Sequence, residues 1–414
     1  MRGSASGLHW RKSCSVSGRS ATHSVSRKQN MNIGIDCRNM LSPGHGEQAG
    51  IGHYTSYVVH SLLAYDQKNT YVLFFDHRAP DLSAFQRFSN VQIRHLPLSK
   101  YKKFLPIAYA HAVVPQVISR ADLDVFHAPA NILPLGYNKP SVITIHDLAI
   151  YREPSWFPRQ ALSTGVLVPR SLRQANRIIA VSQFTAQDIT SLFHISPQKI
   201  QVIHEGVEQF TVPVKAAQHA KKHFAIRKPY FFFVGTLEPR KNLPHAIRAY
   251  AAFVRDGEKL AQHTEFLIAG AKGFHAEEIA TTIRKEGMED KVRVLGYVSH
   301  EEKLALIKGA AAFIFPSLYE GFGLPILEAM QLGTPVIASD TSSITEIVGR
   351  AGILVDPKNV EELAQAMGSL LMNTKLRREL ISSGKRKATQ FTWEQTARET
   401  LKVYEQVVRN TRRA

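Results

Sequence analysis

Residues 313–340, FIFPSLYEGFGLPILEAMQLGTPVIASD, constrain the fold more than any other stretch of the chain. An apolar run from Ala311 to Pro316 has the length and composition of a buried strand. Glu320-Gly321-Phe322-Gly323 then joins a carboxylate to two glycines in a loop. Leu324 to Met330 reads as a helix with Pro325 suited to its first turn, and Gly333-Thr334-Pro335 ends it. Val336 to Ser339 returns as a strand. Strand, loop, helix, strand is the unit of a parallel α/β sheet, which binds ligands beyond the carboxyl ends of its strands. The amides at such a helix start favour an anion such as phosphate.

Within this unit Glu320 lies in the loop and Glu328 about one turn into the helix, so both can address one crevice from opposite ends of a bound molecule. A solvated helix face plus a cap would explain two unrelated glutamates. Here small and apolar residues surround both, and two glycines open the backbone beside the first.

E-G-F-G-L-P-x-L-E resembles the E-x7-E signature of retaining glycosyltransferases of the GT-B fold, family 4 type. The resemblance extends from Met31 to the C-terminal helix. It implies an α/β architecture of two Rossmann-like parallel-sheet domains facing across a cleft. It also implies that Glu320 sits by the donor sugar, that the backbone of Gly321, Phe322, Gly323 and Leu324 holds the sugar and diphosphate, and that Glu328 accepts hydrogen bonds from ribose hydroxyls.

With 414 residues the chain is long enough for two domains. No apolar run approaches the roughly 18 residues of a membrane span. Two cysteines, Cys14 and Cys37, give no disulfide framework, which fits a reducing, cytoplasmic setting. The net charge of +18 is spread along the chain, with no basic helix interleaved with aromatics, which argues against nucleic acid. A diffuse basic surface suits phosphate-bearing substrates or peripheral contact with an anionic membrane.

Residues 1–30 are Ser-rich and basic and are expected to be disordered; they resemble a transit peptide, or precede a true start at Met31, which opens the first strand directly. Residues 31–207 form the first predicted domain, 208–228 a linker that could hold a short helix, and 229–391 the second domain. A helix over 392–408, capped by Thr392, crosses back to the first domain in the family.

In the first domain, a strand from Asn32 to Cys37 feeds a glycine-rich loop and a helix from Tyr54 to Tyr65. Ala49-Gly50-Ile51-Gly52-His53-Tyr54 matches the family's glycine loop, so the resemblance places Gly50 and Gly52 at the donor phosphates. Asp122-x-Asp124 could be a metal–diphosphate site, but it flows into an apolar strand, so Asp122 reads as a helix end and Asp124 as a strand opening. His127 falls at that strand's carboxyl end, facing the expected cleft. The strand from Ser141 ends in His146-Asp147, and the family places a sugar-contacting histidine at His146. Ser182 is a natural N-cap for a helix from Gln183 to Phe193.

In the second domain, Tyr230 to Gly235 is a buried strand followed by Arg240-Lys241 before a helix. Cations oppose the positive end of a helix dipole, so an anion should lie there to neutralise them. The family's diphosphate-binding pair matches these two residues. The resemblance places Gly296-Tyr297-Val298 where the family's backbone contacts the nucleobase, with Val298 among the donor-binding residues. Asp340 to Ser343 and Gly352 to Pro357 are expected to complete the sheet.

The resemblance implies hexose transfer, with mannose favoured, from a nucleotide-sugar (GDP-mannose over UDP- or ADP-sugars) to a saccharide or lipid-linked acceptor in cell-surface polysaccharide synthesis. No metal and no other cofactor is expected. A sugar-nucleotide epimerase of similar fold and a non-catalytic sugar-binding protein are the alternatives.

Overall fold

Two sheets, all of whose strand pairs are parallel, carry the fold. The first contains β1 (Asn32–Asp36), β2 (Thr70–Phe75), β3 (Val91–His95), β4 (Val125–Ala128), β5 (Ser141–Ile145), β6 (Arg177–Ala180) and β7 (Ile200–Val202), in the order β3-β2-β1-β4-β5-β6-β7. The second contains β8 (Tyr230–Val234), β9 (Glu265–Ala269), β10 (Val292–Gly296), β11 (Ala312–Phe315), β12 (Val336–Ser339) and β13 (Ile353–Val355), in the order β10-β9-β8-β11-β12-β13. Each order reverses once, between β1 and β4 and between β8 and β11. That reversal opens the crevice in which doubly wound sheets bind ligands. This computed structural model describes residues 30–40, 50–77, 79, 81–97, 99, 109–157, 161–257 and 259–413. The 1–30 extension, but for Asn30, and the 41–49 part of the glycine-rich loop lie outside them.

Burial follows position in the sheet. The inner strands β4, β5, β9, β11 and β12 are buried at every residue, because helices cover both faces. The edge strands β3, β7, β10 and β13 are partly exposed, and β3, β7 and β10 carry Gln92, Arg94, His95, Gln201 and Arg293. In β8, Phe231, Phe232 and Phe233 alternate between the two faces and are fully buried on both.

Several elements depart from the expected bounds. The first helix runs Ile51–Tyr65, starting as soon as Gly50 turns the chain at φ 66°. Within 208–228, expected as a linker, lies the helix Val214–His223, whose Ala220 packs with Val212 on Leu304 and Ala305 of the helix His300–Gly309. Thr341 to Ser343 adds no strand; it turns into a short helix, Ile344–Val348.

The C-terminal helix runs Trp393–Thr411, past the expected end. Thr392 caps it, accepting from Gln395 N–H at 3.2 Å. Its buried stripe, Trp393, Thr396, Ala397, Thr400, Val403, Tyr404, Val407 and Val408, follows the helical repeat. Trp393 stacks on Tyr57 of the first helix at 5.1 Å, and Tyr404 reaches His127 of β4. The chain crosses between the two sheets twice, at 203–207 and 391–393, and the crossings touch. Val207 N–H donates to Phe391 C=O at 3.1 Å, and a Cβ on Gly206 would lie 2.7 Å from Trp393 Cα. Only glycine permits that approach.

Candidate active site

The carboxyl ends of β8 and β11, the strands flanking the second reversal, deliver Arg240-Lys241 and Glu320. After β8 a single 3-10 turn, Pro239–Lys241, is closed by Asn242 in the left-handed region at φ 55°, and the helix Leu243–Asp256 follows. This turn brings the cations back over the strand end. Lys241 Nζ lies 2.5 Å from Glu320 Oε1, and Arg240 Nη1 lies 2.8 Å from Glu320 Oε2. Arg240 also pairs with Glu238 at 2.5 Å and donates to Tyr319 C=O at 3.2 Å.

The sequence pointed to an external anion opposite these cations. The structure supplies an internal one, because strands 80 residues apart in sequence are neighbours in the sheet. Burial raises the Glu320 pKa, but Lys241 and Arg240 override it and hold it at about 2. Burial, then Arg240, lower the Lys241 pKa against the upward pull of Glu320. The ion-paired state of this buried trio is therefore internally consistent.

The loop after Glu320 is pinned from both sides. Glu320 N–H donates to Ser342 Oγ at 3.0 Å, and Ser343 Oγ donates to the carbonyls of Glu320 and Phe322 at 2.9 and 2.8 Å. Thr185 Oγ1 of the first half donates to Gly321 C=O at 3.2 Å. Tyr319 OH donates to Asp188 at 2.6 Å and accepts from Leu148 N–H at 3.2 Å. Gly323 takes φ 119°, and the helix Leu324–Leu332 starts behind it. Among the described residues, the amides of Gly321, Phe322, Gly323 and Leu324 donate no hydrogen bond. A rigid loop ending in unpaired amides at a helix start is an anion-binding arrangement.

Glu328 lies in the same helix and is buried. Its Oε1 pairs with Lys303 Nζ at 2.6 Å, while its Oε2 is buried with no partner among the described residues. Lys303 escaped the sequence reading. Its signal is the capping box of Ser299 and Glu302, which fixes where the helix His300–Gly309 begins behind β10. Val298, buried, sits in that β10–helix connection.

The first helix approaches from the other half. Burial, then Lys303 and His300, push His53 down to about 4, and burial, then Glu208 and Glu328, push Tyr57 up. Gly50 and Gly52 open this helix, and a side chain on Gly50 would meet open space. The structure thus brings Gly50 to Tyr57 near the Glu328 end of the crevice.

His146 follows β5, where its backbone N–H donates to Asn131 Oδ1 at 2.8 Å. Both ring nitrogens face acceptors, Glu205 Oε1 at 3.2 Å and Pro129 C=O at 2.8 Å, and the ring stands edge-on to Tyr54 at 4.6 Å. Glu205, unassigned from sequence, is buried where the chain first leaves the N-terminal half. His127, expected to face the cleft, is fully buried instead. It binds Tyr404 OH at 2.6 Å and Thr144 Oγ1 at 2.8 Å because the C-terminal helix covers it.

The Asp122-x-Asp124 pair sits at the amino-terminal end of β4, opposite the strand ends that line the crevice. Asp124 accepts from Asn32 N–H at 2.8 Å and pairs with Arg412 at 2.9 Å, while Asp122 is exposed. These contacts give Asp124 the strand-opening place read for it.

Comparison with known proteins agrees with this geometry. Residues 50–209 match the family described as Glycosyltransferase Family 4, and residues 214–387 match Glycosyl transferases group 1. O-antigen chain mannosyltransferase B of Escherichia coli is 30% identical over 284 residues, covering 68% of this chain and 74% of that one. A Mycobacterium tuberculosis glycogen synthase is 32% identical over 300 residues, covering 70% and 68%. Among solved structures, Anabaena HepE in complex with UDP and glucose superposes with a TM-score of 0.69 at 18% identity, over 91% of this chain and all of that one. WaaG, a glycosyltransferase involved in lipopolysaccharide biosynthesis, gives 0.69 at 13% identity over 90% and 99%. The chain belongs to the GT-B glycosyltransferases, its two halves being the family 4 and group 1 domains, with bacterial mannosyltransferases among its relatives.

Proposed function

We propose that the protein is a retaining mannosyltransferase that moves mannose from GDP-mannose to a saccharide or lipid-linked acceptor in cell-surface polysaccharide synthesis. It would work at the cytoplasmic face of a membrane, touching it peripherally. The observation that carries the reading is the row of unpaired amides from Gly321 to Leu324 beside Arg240 and Lys241. Mannose is favoured by the O-antigen mannosyltransferase relative. Two separate domains, 31–207 and 229–391, would close on the donor.

In this reading the amides and both cations take the diphosphate, with Gly50 and Gly52 approaching it from the other half. Glu328 accepts from a ribose hydroxyl at its unpartnered Oε2, and the backbone at Val298 meets the base. His146 and Glu320 border the sugar. Glu205 and Pro129 engage both His146 ring nitrogens, so the histidine would meet the sugar with its ring edge or its backbone.

In the transfer step, the bond from the anomeric carbon to the diphosphate oxygen breaks, leaving its electron pair on phosphate. The acceptor hydroxyl oxygen bonds to the same face of that carbon, and its proton passes to the departing phosphate oxygen. Arg240, Lys241 and the amides stabilise the charge developing on the leaving group, which needs no metal.

The test is transfer from GDP-mannose, UDP-glucose and ADP-glucose to mannose-terminated oligosaccharides, with and without EDTA, and NMR of the product anomer. Transfer from GDP-mannose that withstands EDTA and gives an α-mannoside is expected. Turnover of a different donor only, inversion, or loss to EDTA restored by magnesium would overturn the corresponding part. Conversion of donor without acceptor would instead mark an epimerase.

A further inference from the structure

A cluster of metal-ligating side chains lies where the linker helix meets the helix His300–Gly309. His219 and His223 stand four residues apart on Val214–His223, so they share one helix face. Glu302 rises beside them from the neighbouring helix. One ligand atom from each of the three lies within 4.8 Å of the others. His223 Nδ1 is 2.7 Å from Glu302 Oε1, and the two imidazole centroids are 5.9 Å apart.

We propose that His219, His223 and Glu302 form a surface site for a divalent transition-metal ion of the zinc class. The backbones that carry the ligands are already held. Val212 and Ala220 pack on Leu304 and Ala305, and Lys308 Nζ donates to Val212 C=O at 3.3 Å. Glu302 is oriented by its capping box, its Oε2 accepting from Ser299 N–H at 2.9 Å and leaving Oε1 toward the histidines.

Zinc takes nitrogen and oxygen ligands at about 2.0–2.2 Å. On a tetrahedral ion, ligand atoms therefore lie roughly 3.4 Å apart, a spacing these side chains reach by small rotations. The ion would take the place of the His223–Glu302 hydrogen bond and gain His219, leaving one position for water. Two imidazoles and one carboxylate suit zinc, nickel or copper rather than magnesium or calcium, which favour all-oxygen sets. Bound metal would clamp the helix Val214–His223 to the helix whose Lys303 holds Glu328.

Calorimetric titration of the metal-stripped full chain with zinc chloride, and with magnesium chloride as the hard-cation control, tests this. One equivalent of zinc, with a rise in melting temperature that magnesium does not reproduce, is expected. His219→Ala and His223→Ala should each weaken that binding at least tenfold, while His263→Ala, outside the cluster, should leave it unchanged. Absence of a saturable zinc equivalent, or equal affinity in wild type and both cluster variants, overturns the proposal. If a histidine variant fails to fold, Glu302→Gln preserves the capping bonds and serves in its place.

Discussion

Gly321 and His146 meet across the crevice with no room for a methyl group between them. A Cβ on Gly321 would lie 2.7 Å from the His146 carbonyl carbon and 2.8 Å from Asp147 Cβ. The loop of unpaired amides therefore sits against the backbone that carries the histidine, and closure of the crevice depends on a missing side chain.

Gly321→Ala forces those two backbones apart. Overpacking of this kind costs about 1–3 kcal/mol, and the amides beside it shift with the loop. Chemical denaturation should register the loss, and steady-state kinetics should show turnover falling with it. A variant as stable and as active as the parent would contradict the close approach.

Glu320→Gln separates electrostatics from contact. Removing the carboxylate leaves Lys241 and Arg240 without their shared partner, and breaking a buried pair costs roughly 3–5 kcal/mol. Affinity for the free nucleoside diphosphate should hold or rise, since the cations are released, while turnover falls. The pH dependence has a definite sign. Glu320 is depressed from 4.5 to about 2, so its contribution is present above about pH 4.5 and is lost as pH falls toward 2. The variant should lack that part of the acid transition.

Glu328→Gln should weaken binding of nucleoside diphosphate and nucleotide-sugar alike, by about ten- to a hundredfold for a lost hydrogen bond to a charged group. Lys303→Met should weaken it less, because Lys303 acts by orienting the carboxylate. The double variant should bind no worse than Glu328→Gln alone, and calorimetry of all three would expose additive losses if the two act independently.

Tyr404→Phe removes the phenol oxygen from His127 Nδ1 and leaves a buried nitrogen unpaired, a loss of about 1–3 kcal/mol. Burial, reinforced by His146, holds His127 at about 3 against an ordinary 6.5. Its neutral form therefore supports the fold above pH 6.5, and that support drains away as pH falls toward 3. Urea titrations at pH 7 and pH 5 should show both the variant's deficit and the parent's decline.

Much of this is legible in the sequence alone. Gln183–Phe193 and β12 fall where apolar pattern and cap put them, and Ser182 caps its helix by accepting from Thr185 N–H at 3.0 Å. Local signals speak within about ten residues, so what joins distant segments stayed hidden. The partnership of Glu320 with Arg240 and Lys241 spans some 80 positions, and that of His127 with Tyr404 spans 277. His127 misled because a strand-end histidine looks alike whether a ligand or a helix covers it. Lys303 was missed because a lysine in a first turn normally faces water.

The reach of the C-terminal helix back to β4 also sets the order in which the protein can be completed during synthesis. Residues 31–207 leave the ribosome first, yet the slots beside Tyr57 and His127 are filled only by Trp393 and Tyr404. The half made first is thus finished last, and until then it presents an aromatic furrow to the cell. A nascent chain halted at residue 391 should be captured by chaperones that ignore the full-length product.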